Sequence, residues 1–141
     1  MKKIVLLFIF FIFCYSCSKV YEFNNFQENL NGKWTLQSMA SSRPYIISIG
    51  EAMLWQESYI FYKDSTFTKT RIANSKSITV VGSYSYKRET DCDYIVLTYV
   101  KKSEIIGSCT GNSQEILVFV DKNTLSSTWK NCDGPELEYK K

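Results

Sequence analysis

Residues 57–71 read ESYIFYKDSTFTKTR, and this segment holds the clearest structural signal in the chain. Tyr59 and Phe61 fall on one face of an extended chain, since successive side chains of a strand point to opposite faces. Residues 63–66 favour a tight turn, because Asp and Ser side chains hydrogen-bond to the nearby backbone. Phe67 then opens a second extended run. The segment therefore predicts a β-hairpin.

Strand-like runs lie on both sides of this hairpin. They occupy residues 34–39, 78–87, 94–100, 116–120, 125–129 and 137–140. Gly82 interrupts the second run and predicts a bend or a bulge there. Pro44 is incompatible with a regular central strand within residues 43–56, and residues 46–54 are expected to form a lid loop or a short helix.

About eight strands joined by short turns predict an all-β domain over residues 25–141. A meander of eight strands closes most naturally into a small up-and-down antiparallel β-barrel, which removes exposed sheet edges. A small β-sandwich without a cavity is the alternative fold. Asn25 and Glu28 favour a short helical turn ahead of the first strand.

The N-terminus has the pattern of a secretory signal peptide over residues 1–16, with two lysines, ten apolar residues and Ser16 before Cys17. Residues 14–17, CYSC, resemble the lipobox of bacterial lipoproteins. The resemblance implies that Cys17 becomes the acylated first residue, with palmitate-type chains, and that residues 17–24 form a lipidated tether. A cleaved signal without lipid, or a membrane anchor, is the alternative. The apolar run is shorter than the roughly 20 residues of a transmembrane helix.

Such a lipoprotein is expected in the cell envelope, anchored to the outer membrane. Residues 18–20 lack the acidic run of some surface-exported lipoproteins, so the periplasmic side is favoured over the cell surface. The 17 basic and 14 acidic residues are scattered, which gives no basic patch for nucleic acid. The expected partners are the membrane, through the lipid, and a small hydrophobic ligand. The oligomeric state is left open.

The residue types argue against catalysis. The sequence contains no histidine, which excludes a Ser-His or Cys-His nucleophile–base pair. Without histidine, and with no CxxC pair after Cys17, a metal site is not expected, and no cofactor is predicted. Glu104 and Glu115 stand beside predicted turns, where solvated carboxylates are the expected state. We therefore expect a protein that is not an enzyme.

Three cysteines follow Cys17, at Cys92, Cys109 and Cys132. A hairpin turning at residues 121–123 places Cys132 opposite residue 112, close to Cys109. Antiparallel order puts Cys92 at the other end of the strands, beyond the ~7 Å that a disulfide allows between Cα atoms. The register therefore predicts a Cys109–Cys132 disulfide and a free, buried thiol at Cys92.

Residues 30–36, LNGKWTL, resemble the first conserved motif of lipocalins, in which Gly-x-Trp (here Gly32 and Trp34) opens the first strand. The stretch from Leu30 to Lys141 resembles the short lipocalin-like domains of bacterial lipoproteins. The resemblance implies a barrel that binds a small apolar or amphipathic ligand. Aromatic residues with inward parity are the ligand-binding candidates: Tyr59, Phe61, Phe67, Tyr84, Tyr86 and Trp129.

An envelope protein–protein interaction module with a filled, ligand-free core is the alternative function. An eight-stranded barrel is just wide enough for packed side chains or one small ligand, so the same aromatics could simply fill it. A module of this kind would display other aromatics outward. Tyr62, Tyr99 and residues 45–54 are the predicted contact residues in that case.

Overall fold

The computed structural model describes residues 28–42, 44–90 and 92–141. The chain divides into two compact units, Met1–Asn31 and Gly32–Lys141. The described part of the first unit is Asn31 and a helical turn over residues 28–30, which includes the buried Leu30. The predicted signal peptide, tether and Cys17 lie outside the described residues. None of the helices within the described residues is long and apolar enough to cross a bilayer.

The described residues of the second unit form nine antiparallel strands and two short 3-10 helices. The strands are β1 (Gly32–Ser42), β2 (Tyr45–Ile49), β3 (Gln56–Phe61), β4 (Thr66–Ala73), β5 (Lys76–Arg88), β6 (Asp93–Tyr99), β7 (Gln114–Asp121), β8 (Thr124–Ser127) and β9 (Glu136–Lys140). The 3-10 helices span Gly50–Ala52 and Thr128–Cys132.

Eight strands form a closed barrel, as predicted. From β3 to β9 each strand pairs with the next along the chain, and β1 pairs with both β3 and β9. The ninth strand, β2, pairs only with the second half of β1, from Ser38–Ile49 to Ser42–Tyr45. The prediction of a loop or short helix for residues 46–54 was therefore wrong over residues 46–49 of β2. Pro44 lies in the turn between β1 and β2, where a missing N–H costs no ladder bond.

The antiparallel order gives the barrel two distinct ends. The Gly32 end holds the start of β1, the end of β9 and the turns after β3, β5 and β7. The β2 end holds β2, the turn after β4, residues 100–113 and the 3-10 helix Thr128–Cys132. Gly32, the first residue of the second unit, therefore lies at the end of the barrel opposite to β2.

Inward and outward faces alternate along the hairpin as predicted. Tyr59 and Phe61 are at most 1% exposed, whereas Tyr62 is 43% exposed. In β1 a bulge between Leu36 and Ser38 shifts this alternation, so that Leu36 is buried before the bulge and Met39 after it. The bulge thus keeps both halves of a long strand in contact with the core.

Backbone geometry requires two of the glycines. Gly32 has a φ of +111°, which L side chains rarely adopt, and it leads into the fully buried Trp34. Gly82 lies within the continuous strand β5, so the predicted bend or bulge is wrong. A Cβ atom on Gly82 would lie 2.2 Å from the carbonyl oxygen of Thr98 and 2.8 Å from the Phe67 ring. Glycine therefore permits close strand and ring packing at this position.

The predicted disulfide is present, with Cα atoms of Cys109 and Cys132 5.4 Å apart. The predicted hairpin register holds from Leu117–Ser127 to Phe119–Leu125 and shifts at a bulge just before Asp121. Cys92 is free, as predicted, and lies at the Gly32 end in the connection between β5 and β6. The prediction that this thiol is buried was wrong, because the connection lies outside the barrel wall and leaves Cys92 exposed.

Candidate functional site

Four of the predicted ligand-binding aromatics pack together inside the barrel. Ring centroids lie 5.6 Å apart for Tyr59 and Phe61, and 6.1 Å apart for Phe61 and Phe67. Tyr84 meets Phe61 edge-on at 5.4 Å and donates a hydrogen bond to the Tyr62 carbonyl oxygen at 2.8 Å. These rings therefore contact one another and form part of the core.

The other two candidates are half-buried and lie at opposite ends of the barrel. Tyr86 lies towards the Gly32 end, with the Arg88 guanidinium 5.7 Å from its ring. Trp129 lies in the 3-10 helix Thr128–Cys132 at the β2 end, beyond β8, so the predicted strand over 125–129 ends early. The structure does not bring all six candidates into one site.

Charged side chains lie in the interior beside these rings. Glu57 on β3, Lys69 on β4 and Glu115 on β7 are at most 3% exposed. The Lys69 ammonium lies 3.1 Å from Glu57 Oε1 and 2.9 Å from Glu115 Oε1. It also donates to the carbonyl oxygen of Ile105 at 2.7 Å. Arg71 pairs with the second oxygen of Glu57. We call these four charged residues the buried ion cluster.

Tyrosine hydroxyls complete the partners of the two carboxylates. Tyr59, at 3.0 Å, and Tyr99 both donate to Glu115 Oε2, and Tyr139 donates to Glu57 Oε1 at 2.6 Å. Tyr99 is only 4% exposed, so its predicted outward orientation was wrong. Burial raises the pKa of all three tyrosines well above its ordinary value, and the adjacent carboxylates raise it further.

The surroundings of Glu115 favour its ionised form within the barrel. Burial alone raises the pKa of this carboxyl, but the Lys69 ammonium and hydrogen bonds from Tyr99, Lys69 and the Gly107 N–H lower it. The lowering effects together exceed that of burial, so the pKa lies below its ordinary value. Two carboxylates and two cations therefore balance in charge.

Arg71 forms the outermost part of the cluster, at the β2 end. Its guanidinium lies 4.2 Å from the Trp55 ring and 5.9 Å from the Trp129 ring, and it donates to the Ile105 carbonyl oxygen at 3.2 Å. Cation–π contacts of this kind are strongest where water is excluded. Two tryptophans and the segment around Ile105 thus pack over Arg71.

Sequence parity contains a signal for these buried charges. Glu57 shares the parity of Tyr59, and Lys69 shares that of Phe67. The expectation that Glu115 is solvated was wrong, because its partner Lys69 is 46 residues away in sequence and only the barrel brings them together. The alternation of inward and outward residues can indicate that a charged side chain is buried, but it does not show which residue pairs with that charge.

The buried ion cluster is suited to cross-linking β3, β4 and β7. Every carboxylate oxygen of Glu57 and Glu115 has a partner, and buried polar networks that are fully paired add rigidity. Within residues 28–42, 44–90 and 92–141, no group of three or more His, Cys, Asp or Glu side chains could hold a metal ion. The buried ion cluster therefore holds these three strands together.

The outside of the barrel carries a second feature, at the β2 end. Five apolar side chains on β2 and just after it are between 56% and 77% exposed, and we call them the β2 surface: Tyr45, Ile46, Ile47, Ile49 and Leu54. A groove of about 680 Å³ lies beside them and includes Trp55 and Ile72 in its lining. Exposed large apolar side chains grouped on one strand can mark an interaction site.

Comparison with protein-family models, curated proteins and solved structures found no match. The fold and the interior define a small closed antiparallel β-barrel cross-linked by buried charges. The resemblance to lipocalin-like lipoproteins stays a prediction.

Alkaline pH should reveal the buried tyrosines. A pKa raised in the folded state gives stability that is fully present below the unfolded tyrosine pKa of about 10 and is lost as pH rises through the folded values. In a tyrosinate absorbance titration we expect only some of the tyrosines to ionise while the circular dichroism stays native. The rest, including Tyr59, Tyr99 and Tyr139, should ionise together with unfolding. Ionisation of every tyrosine in a folded barrel would contradict this prediction.

Proposed function

We propose that this protein is a lipid-anchored envelope protein whose filled barrel serves as a rigid interaction module for another protein. The contrast between its interior and its surface carries the proposal. Inside, the aromatic rings contact one another and the buried ion cluster has its partners. Outside, the β2 surface exposes five large apolar side chains. A partner protein would cover that surface.

The proposed anchor is a diacylglycerol on Cys17, based on the lipobox resemblance of residues 14–17. Two or more acyl chains give stable membrane attachment, whereas one gives marginal binding.

The proposed location is the periplasmic side of the outer membrane, and the proposed role includes no catalytic step or cofactor. Two observations support a role without catalysis. The sequence has no histidine. Glu57 and Glu115 are held in ion pairs with Lys69, which leaves neither carboxylate available as a free general base.

Binding of a small apolar or amphipathic ligand is the second candidate function. The groove beside the β2 surface favours it, because Leu54, Trp55 and Ile72 give it apolar walls. A ligand there would lie outside the barrel, away from the packed rings of Tyr59 and Phe61. Organic extraction of the purified full-length protein should distinguish the two functions, since a stoichiometric small molecule would favour the ligand.

Site-specific photo-cross-linking in intact cells tests the proposed function. A photo-reactive phenylalanine analogue at Tyr45, which is 66% exposed on β2, should form protein adducts in the membrane fraction. The matched position is Tyr62, which is 43% exposed in the turn between β3 and β4 and should form few adducts. Introducing Cys17→Ala should move the protein out of the membrane fraction, because the acylated thiol is lost.

Two results would count against this function. Equal adduct yields at Tyr45 and Tyr62 would mean that the β2 surface is not a preferred contact. A Cys17→Ala protein that remains in the membrane fraction would remove the lipid anchor from the proposal.

A further inference from the structure

Among the described residues, β2 is the one strand with a single neighbour. Each of the eight barrel strands has a partner on both sides, whereas β2 pairs only with β1. The outer edge of β2 therefore presents backbone N–H and C=O groups that lie outside the sheet ladder. An exposed edge of this kind is a template for adding another strand.

The side chains of β2 do not protect this edge. Natural edge strands are usually blunted by lysine, proline or an inward-pointing charge. Tyr45–Ile49 reads YIISI and carries no charge and no proline. Tyr45, Ile46, Ile47 and Ile49 are each more than half exposed. The strand is therefore both unpaired and apolar.

One face of β2 is apolar on both sides of Ile47. In an antiparallel pair of two copies centred on Ile47, Tyr45 of one copy lies opposite Ile49 of the other, and Ile47 lies opposite itself. Residues 45, 47 and 49 share one face of the strand, so all three cross-strand pairs on that face are apolar. No like charges meet within the ladder. Such self-complementarity is what a two-fold interface requires.

We propose that the protein to which this surface binds is a second copy of the same chain. Two copies join by antiparallel β2–β2 pairing about a two-fold axis at Ile47, so that one sheet runs through both barrels. This inference rests on the proposed function of the β2 surface and names its partner. A five-residue ladder is a small interface, so attachment of both copies to one membrane would favour pairing by raising their local concentration.

Cysteine cross-linking tests the pairing and its register. The full-length chain with Cys92→Ser, which removes the exposed free thiol, is the background for Ile47→Cys. In the proposed dimer the two cysteines at position 47 lie directly opposite, with Cβ atoms about 4.5–5.5 Å apart. Mild oxidation of membranes should convert most of the Ile47→Cys protein into a disulfide-linked dimer.

Two matched variants in the same background serve as controls. Tyr45→Cys places its two thiols four residues apart along the paired strands, about 13 Å. Val81→Cys places a thiol on β5, at an apolar position that is 51% exposed in a strand paired on both sides. Both should form roughly tenfold less dimer than Ile47→Cys, because a disulfide needs Cβ atoms about 4 Å apart.

Other outcomes would overturn the inference. Cross-linking of Tyr45→Cys as strong as that of Ile47→Cys would mean random collision or a different register. An Ile47→Cys protein that stays monomeric and shields its thiol from a water-soluble maleimide would indicate contact with lipid. A third outcome is that Ile47→Cys forms no dimer while the photo-adducts at Tyr45 have a mass other than twice that of the chain. The β2 surface would then bind a different protein, so the proposed function would stand and the second copy would be rejected.

Discussion

Replacing Lys69 with methionine is expected to lower the free energy of unfolding by about 3–5 kcal/mol, the range for removing one partner of a buried ion pair. Lys69 is fully buried and its ammonium lies within 3.1 Å of both Glu57 and Glu115. Glu57 retains Arg71, but Glu115 would keep a negative charge in the barrel without a cation. Urea unfolding of the two proteins at neutral pH measures the difference.

A second variant separates the buried charge from the loss of packing. In Lys69→Met/Glu115→Gln one cation and one carboxylate are removed together, and the glutamine oxygen can still accept hydrogen bonds from Tyr59 and Tyr99. This double variant should recover much of the lost stability, because the uncompensated charge is gone. Lys76→Met, on an exposed lysine at the start of β5, should leave the stability nearly unchanged. If Lys69→Met were no less stable than Lys76→Met, the buried ion cluster would have no structural role.

Removing the disulfide is expected to produce the second largest loss of stability. The Cys109→Ser/Cys132→Ser variant should lose about 3 kcal/mol, because the bridge closes a loop between residues 23 apart and so restricts the unfolded chain. The bridge also ties the segment after β6 to the 3-10 helix that carries Trp129, at the β2 end. Thermal unfolding followed by circular dichroism, without reductant, measures the effect.

Cys92→Ser is the matched control for this variant. Its thiol is free and exposed, so the substitution removes a cysteine without removing a cross-link. The thermal midpoint of this control should stay close to that of the wild type. A reductant that breaks the disulfide should lower the thermal midpoint of the Cys92→Ser variant. The same reductant should leave the midpoint of the Cys109→Ser/Cys132→Ser variant unchanged. Equal midpoints for all three proteins would contradict the stabilising role of the bridge.

The alternation of residues predicted most of the barrel, because it reflects interactions within each strand. The pattern of Tyr59, Phe61 and Phe67 placed three large rings on the inner face of one hairpin, and the structure buries all three. The turn at residues 121–123 set the register of β7 and β8 closely enough to predict the Cys109–Cys132 bridge. Local rules of turn and strand geometry were sufficient for these features.

The candidate interaction surface was only partly visible in the sequence. Residues 45–54 were expected to be exposed if the protein is an interaction module, but as a loop or a short helix. Pro44 obscured β2, since a proline in a turn and a proline in a strand look alike in a single sequence. β2 has a free edge because it pairs with the second half of β1, whereas β3 pairs with the first half. This arrangement is a property of the whole sheet and not of the local sequence.

The sequence alone therefore predicts an all-β domain with one internal disulfide and favours its closure into a barrel, because alternation and turn chemistry are local. The tertiary structure determines what fills that barrel. Lys69 lies in the interior only because Glu57, 12 residues before it, and Glu115, 46 residues after it, approach it across three strands. A charge can be buried only with its partners present, and those partners come from strands that the chain brings together when the barrel closes.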